Sequence, residues 1–371
     1  MKELGLYVHI PFCVKKCNYC DFCSYDNLSD GIADKYTDAL AKEIKNTKAL
    51  CDDYVVDSIF FGGGTPSLLT KKQLDIIFSA LNEYNISSGA EISAEINPGT
   101  VNADYLRFLR EIGINRLSIG MQSALDAELK LLGRIHTSRE LAYCFSDARR
   151  AGFDNVNIDI MTALPGQSIV ELDKTIDYAI STGCEHISAY MLKIEEGTPF
   201  EKIKDKLNLP NDDESADIYL HTCERLEGAG YNHYEISNFA KPGYDCRHNL
   251  KYWRGKEYIG FGVSAHSFFN GERFGKGRDI FSYIKGEDIT GKHEKIDGTC
   301  AYEEYLMLSL RLDSGISYKD FYERFKESFP DKYRDFIDKT VRCGYAREER
   351  DRYFLTDKGM CISNQIICEF M

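Results

Sequence analysis

The chain has 371 residues, of which 43% are apolar and 28% are charged, a composition typical of globular proteins with a large core or two domains. This excludes disordered and collagen-like chains. Acidic residues outnumber basic ones by 59 to 46, so bulk electrostatics disfavours binding to nucleic acid or anionic lipid. No apolar run approaches the roughly 18 residues of a membrane span, and the first residues lack signal-peptide features. We therefore expect a cytoplasmic protein.

Candidate β-strands recur along the first two thirds of the chain, and each ends in a polar or glycine-rich turn. They are LGLYVHI from Leu4, DSIFFGGG from Asp57, EISAEINPG from Glu91, NRLSIGMQS from Asn115, NVNIDIMTALPG from Asn155 and HISAYM from His186. Amphipathic helix patterns lie between them, including 34–47 and 72–84. Alternating strands and helices predict a parallel sheet. The periodicity does not distinguish a doubly wound sheet from an incomplete barrel.

The composition changes after residue 230. Residues 231–274 contain 11 aromatic side chains and three of the eight histidines. A polar stretch over 286–298 precedes predicted helices at 302–312, 318–325 and 333–343, a short strand YFLT, and a last helix from Lys358. Helices followed by a small strand pair resemble a winged helix. Residues 301–371 carry 12 basic and 14 acidic side chains, which favours packing or partner docking over DNA binding.

Four of the thirteen cysteines fall within eleven residues, and the odd total disfavours a disulfide framework. The C-x3-C-x2-C spacing of Cys13, Cys17 and Cys20 lets one loop place three thiolates on a [4Fe–4S] cluster, with one iron left open. Zinc is disfavoured because no second C-x2-C pair follows. Cys23 either completes the cluster or is a spare thiol. Eight scattered cysteines are predicted to be buried small hydrophobic residues: Cys51, Cys144, Cys184, Cys223, Cys300, Cys343, Cys361 and Cys368.

Polar features follow successive predicted strands, at the end where barrel proteins build their sites. They are Gly62 to Gly64 after the second strand, Glu95 after the third, Gln122 and Arg134 around the turn after the fourth, and Asp159 after the fifth. Glycines let backbone approach a ligand, and a carboxylate accepts charge-assisted hydrogen bonds. Singly, these residues also suit a tight turn, a surface ion pair or a cap. Together with the cysteine loop they predict a ligand site.

The cysteine loop directly after the first strand is the signature of the radical S-adenosylmethionine (SAM) superfamily. Further motifs are LYVHIPFCVKKCNYCDF, FFGGGTPS, EINPGT, GINRLSIGMQS, LGRIH, LPGQ, HISAYMLKIEEGTPF, YEISNFAKPG, HNLKYW and GFGVSAHS. Over nearly the whole chain they resemble the HemW heme-chaperone family, relatives of oxygen-independent coproporphyrinogen III oxidase. The resemblance implies an α/β fold with a partial (β/α)6 TIM-type barrel over 1–230, an aromatic-rich extension over 231–285, and a mainly helical, winged-helix-like domain over 299–371.

The same resemblance implies three cofactors, which are a [4Fe–4S] cluster, SAM and heme. Cluster ligands fall on Cys13, Cys17 and Cys20, and SAM contacts on Tyr7, Gly63 and Glu95. A second set, by analogy with the oxidase, serves an additional SAM and falls on Tyr19, Gly64, Thr65, Gln122, Arg134 and Asp159. The H-N-x-x-Y-W heme motif falls on His248, Asn249, Tyr252 and Trp253, where imidazole would be the axial ligand. These residues alone equally suit an aromatic loop with a hydrogen-bonded histidine. His9, His233 and His266 lack a supporting motif.

The implied function is a heme chaperone that passes heme to an acceptor hemoprotein, such as one of the respiratory chain. Such an acceptor would recruit the chaperone to the membrane. The resemblance also implies an electron donor protein and a homodimer, while the acidic charge balance predicts no nucleic-acid partner. The alternative is the radical SAM oxidase, which decarboxylates propionate groups of coproporphyrinogen. Two departures from the oxidases favour the chaperone: Phe22 occupies the position of an additional oxidase cysteine, and the first strand begins almost at Met1.

Overall fold

The computed structural model of the protein describes residues 1–26 and 29–371. Its first half alternates apolar strands with amphipathic helices. The strands are β1 (Lys2–Ile10), β2 (Tyr54–Gly63), β3 (Ile86–Ile96), β4 (Arg116–Gln122), β5 (Val156–Thr162) and β6 (His186–Met191). The helices are α1 (Ile32–Thr47), α2 (Lys71–Leu81), α3 (Ala103–Glu111), α4 (Asp126–Leu132), α5 (Ser138–Arg150) and α6 (Ile169–Ser181). Every strand proposed from the sequence in this half is present.

Strands β1 to β6 are neighbours in chain order and pair in parallel. A doubly wound sheet reverses its strand order, whereas a barrel adds each strand beside the previous one. Further strands extend both edges: β7 (Asn232–Glu235), β8 (Asn238–Ala240), β9 (Tyr258–Phe261), β10 (His266–Phe269), β11 (Glu272–Gly275) and β12 (Glu294–Lys295). Among the described strands no ladder joins β7 to β12, so the barrel is open. The predicted partial barrel is confirmed.

Helices cover the outside of the barrel with their apolar faces. On α1 the predicted stripe of Tyr36, Leu40 and Ile44 is buried. Helix α2 begins where Thr70 and Gln73 form a reciprocal capping box. The segment after β6 adds α7 (Asp212–Gly228), α8 (Arg247–Trp253) and α9 (Ile280–Lys285). No helix in the part of the chain that the structure describes is long and apolar enough to cross a membrane.

The C-terminal region has its own hydrophobic core. Its helices are α10 (Gly298–Ser309), α11 (Tyr318–Phe325), α12 (Phe329–Arg342), α13 (Asp357–Cys361) and α14 (Ser363–Cys368), and its sheet contains β13 (Ile316–Ser317), β14 (Ala346–Glu349) and β15 (Arg352–Leu355). Helix α12 begins four residues earlier than predicted because Ser328 caps it and Pro330 occupies its first turn. The mainly helical C-terminal region is confirmed.

The scattered cysteines divide by region. All thirteen cysteines lie in the described residues and none forms a disulfide. Cys51, Cys144, Cys184 and Cys223 are buried as predicted, and Cys246 is buried as well. The prediction is wrong for Cys343 and Cys368, which are exposed at the C-terminal ends of α12 and α14. It is also wrong for Cys300 and Cys361, which are only half-buried.

Candidate functional site

Three thiols meet in one cavity of about 430 Å³ inside the barrel. Cys13, Cys17 and Cys20 lie half-buried on the loop after β1 and line this cavity, and we call their side of it the thiol end. The loop is fixed at both sides of the cysteines. The Cys13 amide donates to the Tyr25 carbonyl at 2.9 Å, and the Asn18 amide donates to the Leu132 carbonyl at 2.9 Å.

Polar donors are directed at two of the sulfurs. The Thr65 hydroxyl lies 3.7 Å from the Cys13 sulfur, and Arg134 Nη1 lies 3.6 Å from the Cys17 sulfur. Burial raises the pKa of Cys13 and raises the pKa of Cys20 to about 11. Burial therefore favours the protonated form of the Cys13 and Cys20 thiols, and a bound metal would favour the thiolate form. The donor set fits a cluster with three protein ligands.

The glycine loop after β2 packs directly on the cysteine loop. Gly63 has a φ of 114°, and a Cβ there would lie 2.5 Å from the His9 ring. A Cβ on Gly64 would lie 2.6 Å from the Phe12 carbonyl oxygen. The Gly63 amide donates to the Glu95 carboxylate at 3.0 Å. Glycine is needed here because two loops approach closely, and the sequence alone indicated only an approach to a ligand.

Two acids face each other across the cavity. Burial and then the charge of Asp159 raise the pKa of Glu95 to about 8. The pKa of Asp159 is also raised by burial, although its carboxylate accepts hydrogen bonds from Asn157 at 2.7 Å and Ser118 at 3.2 Å. A cationic ligand group near both carboxylates would be stabilised and would return Glu95 to its ionised form.

Arg134 and Gln122 lie where β4 ends. Arg134 Nη2 donates to the Asn97 side chain and to the Gly120 carbonyl, each at 2.8 Å. Gln122 has a φ of 67° at a register shift between β4 and β5, and its side chain lines the cavity. Asn97 also accepts from His136 at 3.2 Å. The left-handed backbone at a non-glycine residue is strained, as is common at functional sites.

The opposite side of the cavity contains His248, Asn249 and Tyr252 of α8 together with Arg116 of β4, and we call it the α8 end. His248 is 1% exposed. Its Nδ1 lies 2.9 Å from the Ser58 hydroxyl and its Nε2 lies 2.8 Å from the Tyr252 hydroxyl, so both ring nitrogens are engaged. His248 also stacks on Phe60 with ring centroids 5.4 Å apart.

Trp253 is not part of this cavity. It packs with Tyr234, Leu250 and Leu312, and Arg311 lies over its ring. The structure therefore brings together every other predicted SAM or heme residue, which are Tyr7, Tyr19, Gly63, Gly64, Thr65, Glu95, Gln122, Arg134, Asp159, His248, Asn249 and Tyr252.

The remaining candidates lie elsewhere. Both nitrogens of His9 are engaged, by the Tyr7 hydroxyl at 3.0 Å and the Cys23 carbonyl at 2.8 Å. His233 contacts Asp357 at 2.9 Å. His266 is exposed and lines a neighbouring cavity of about 400 Å³ together with Cys23 and Phe22. Cys23 thus faces a different cavity from the three clustered thiols.

Sequence reasoning missed several polar residues of the main cavity. They are Asn97, Arg116, Ser118, Asn157, Ser188 and Tyr190. Their common signal is a polar residue at an inward position of an otherwise apolar strand, as in NRLSIG and NVNID.

An open parallel barrel with a three-thiol loop after β1 and a glycine loop after β2 defines a radical SAM protein. The model of the Radical SAM superfamily matches residues 7–179, and the model of the HemN C-terminal domain matches residues 296–362.

The chain matches several relatives over their full length. The heme chaperone HemW of Bacillus subtilis strain 168 is 35% identical over 378 residues, covering 98% of each chain. The heme chaperone HemW of Escherichia coli K12 is 35% identical over 377 residues, covering 100% of this chain and 99% of the relative. The chain belongs to the HemW heme chaperone family.

A solved structure of coproporphyrinogen III oxidase (HemN) from Escherichia coli, described as a radical SAM enzyme, superposes with a TM-score of 0.85. The two sequences are 24% identical, and the match covers 100% of this chain and 90% of the oxidase. At that identity the likeness shows the shared fold.

Proposed function

We propose that the protein is a heme chaperone that holds a [4Fe–4S] cluster on Cys13, Cys17 and Cys20, binds SAM beside it, and transfers heme to an acceptor hemoprotein. One observation carries this proposal: three unpaired thiols converge on a single cavity in a chain whose full-length relatives are heme chaperones.

At the thiol end the chain would hold and orient the cofactors. A cluster held on these three thiolates would leave one iron open, and the resemblance to radical SAM proteins implies that the amino and carboxylate groups of SAM would bind it. Tyr7, Gly63 and Glu95 line the adjoining wall, where Glu95 offers an acceptor for a cationic group. Thr65 and Arg134 donate toward the cysteine sulfurs and so stabilise thiolate charge.

A second SAM stays a prediction. Of the residues assigned to it, Gln122 and Asp159 face the open part of the cavity. Thr65 and Arg134 already direct polar atoms at sulfur, which leaves fewer donors for a further ligand.

Heme is proposed to contact the inward face of α8, formed by His248, Asn249 and Tyr252. His248 does not fit an axial ligand as it is arranged here, because Ser58 and Tyr252 engage both ring nitrogens. For His248 Nε2 to ligate heme iron, it would have to lose its hydrogen bond with the Tyr252 hydroxyl. Trp253 is assigned to packing against Leu312.

We place the chaperone in the cytoplasm and expect a respiratory acceptor to recruit it to the membrane. An electron donor protein and a second copy of the chain are further proposed partners. Acidic residues outnumber basic ones by 59 to 46, which disfavours nucleic acid as a partner.

The test is anaerobic reconstitution of the full chain, followed by separate assays of heme transfer and of coproporphyrinogen consumption. The chaperone is expected to bind about one heme per chain and to pass it to an apo-hemoprotein without consuming coproporphyrinogen. The oxidase is the second candidate because of the matched HemN C-terminal domain over residues 296–362. SAM-dependent turnover of coproporphyrinogen, with heme retention no better than that of an unrelated protein, would establish the oxidase instead.

A further inference from the structure

One buried cation at the α8 end has no carboxylate partner. Arg116 is the first residue of β4, is 2% exposed and lines the main cavity. Among residues 1–26 and 29–371, no carboxylate oxygen lies within 4.0 Å of its guanidinium, and its Nε has no hydrogen-bond partner. A buried charge is costly unless it is paired, so an unpaired guanidinium that faces a cavity needs an explanation.

The acids that act electrostatically on Arg116 are committed to other donors. Glu91 accepts from the backbone amides of Arg247 and His248, each at 3.1 Å. Asp159 accepts from Asn157 and Ser118. These carboxylates reduce the local positive potential, but neither forms the paired contact that a guanidinium normally makes with a carboxylate.

The other buried cations near the cavity have partners within the protein, although Arg134 Nε, like Arg116 Nε, has none. Lys251 pairs with Asp57 at 2.6 Å. Arg134 uses both of its Nη atoms, on Asn97, Gly120 and the Cys17 sulfur. Arg116 is distinct because its side chain lines the cavity while none of its guanidinium nitrogens has a hydrogen-bond or carboxylate partner among the described residues.

We propose that Arg116 anchors an anion subsite at the α8 end and that the group it binds is a ligand carboxylate. A guanidinium presents a planar fork that matches a carboxylate in two parallel hydrogen bonds. The inference deepens the proposed function, because both expected ligands carry this group. Heme has propionate carboxylates, and the second SAM, whose carboxylate is not assigned to the cluster iron, has the carboxylate of its methionyl end.

The test uses the reconstituted full chain with hemin, hemin dimethyl ester and SAM as probes. The ester lacks free carboxylates but keeps the macrocycle. The parent is expected to bind hemin about tenfold more tightly than the ester. Arg116→Met should bind both equally, and Arg116→Lys should keep part of the preference. Arg149→Gln is the control, since Arg149 pairs with Glu185 outside the cavity.

A second outcome also supports the subsite and identifies SAM as the source of the carboxylate. In that case hemin and its ester bind the parent equally, and Arg116→Met weakens SAM about tenfold in calorimetric titration. Arg116→Met that keeps both the hemin preference and the SAM affinity of the parent overturns the proposal. A parent that binds no hemin sinks the heme part of the proposed function, while the SAM titration still tests Arg116.

Stability of the ligand-free chain separates ligand binding from a structural role. If the charge of Arg116 is compensated only when a ligand binds, the ligand-free Arg116→Met variant should unfold at the same temperature as the parent or higher, because an uncompensated buried charge is removed. If Arg116 instead serves as counter-ion to Glu91 and Asp159, Arg116→Met should unfold at a clearly lower temperature or fail to fold. Either of those two results overturns the proposal.

Discussion

The two ends of the barrel cavity differ in how their polar atoms are satisfied. At the thiol end, three sulfurs line the cavity, and the contacts that Thr65 and Arg134 make with two of them are long, at 3.7 and 3.6 Å. At the α8 end, His248 is held between Ser58 and Tyr252, and Glu91 caps the start of α8. The thiol end thus offers its donor atoms to a ligand, whereas the α8 end is a closed polar network with Arg116 as the exception.

A sequence motif can therefore lie in a cavity without its side chains being free to bind a ligand. The cysteine motif places its side chains where only an added group can use them. The histidine motif lies in the same cavity, yet its imidazole already has two partners. The following variants test that contrast, in order of decreasing effect.

The largest effect is expected at the thiol end. Replacing Cys13, Cys17 or Cys20 with Ala should abolish the cluster absorbance near roughly 400 nm and about four irons per chain, because three ligands leave none to spare. Cys23→Ala is the matched control and should keep both signals, since Cys23 lines the neighbouring cavity. Loss of iron in Cys23→Ala, with no SAM binding by the parent, would mean that Cys23 is the fourth ligand.

Stability should depend strongly on the network at the α8 end. Glu91→Ala removes the acceptor of one buried and one part-buried backbone amide, so the free energy of unfolding should fall by about 3 kcal/mol. Ser93→Ala on the same strand is the control, because the Ser93 hydroxyl is buried without a partner and its loss should cost little. Denaturant unfolding of both variants measures the difference. Equal losses would show that the cap contributes nothing specific.

Glu95 should matter for SAM and not for the cluster. Glu95→Ala is expected to weaken SAM binding by about tenfold, since one charge-assisted hydrogen bond is worth at least about 1.4 kcal/mol. Iron content should stay at the parent level, because Glu95 contacts the Gly63 amide and no cysteine. Calorimetric titration that gives the same SAM affinity for parent and variant would remove Glu95 from the site.

The smallest effect is expected for heme at the α8 end. His248→Ala should shift the Soret band and weaken heme binding by less than about tenfold, because ligation must replace hydrogen bonds worth about 1 kcal/mol each. Trp253→Ala is the control on the other side of α8 and should leave the Soret band unchanged. A shift in Trp253→Ala, without one in His248→Ala, would place heme outside the barrel.

Local features were predictable from the sequence, and long-range pairings were not. The cysteine loop and the strands starting near Leu4 and Asp57 follow from spacing and periodicity along a few residues. The hydrogen-bonded His248 was one of two alternatives that the motif left open, because its partner Ser58 lies 190 residues away in sequence. The position of Trp253 depends on packing against Leu312, another distant residue. From the local sequence, Arg116 is predicted only to begin a strand. Its position at the cavity follows from how the strands of the sheet are arranged in the fold.

The most direct test of the contrast between the two ends is electron paramagnetic resonance of the reduced, reconstituted chain with and without SAM. A cluster held by Cys13, Cys17 and Cys20 has one open iron, so SAM should change its signal in the parent and in Cys23→Ala alike. His248→Ala should show the same SAM-dependent change, because the α8 end lies across the cavity from the sulfurs. A cluster signal that SAM leaves unchanged in the parent would contradict the assignment of the thiol end as the cofactor site.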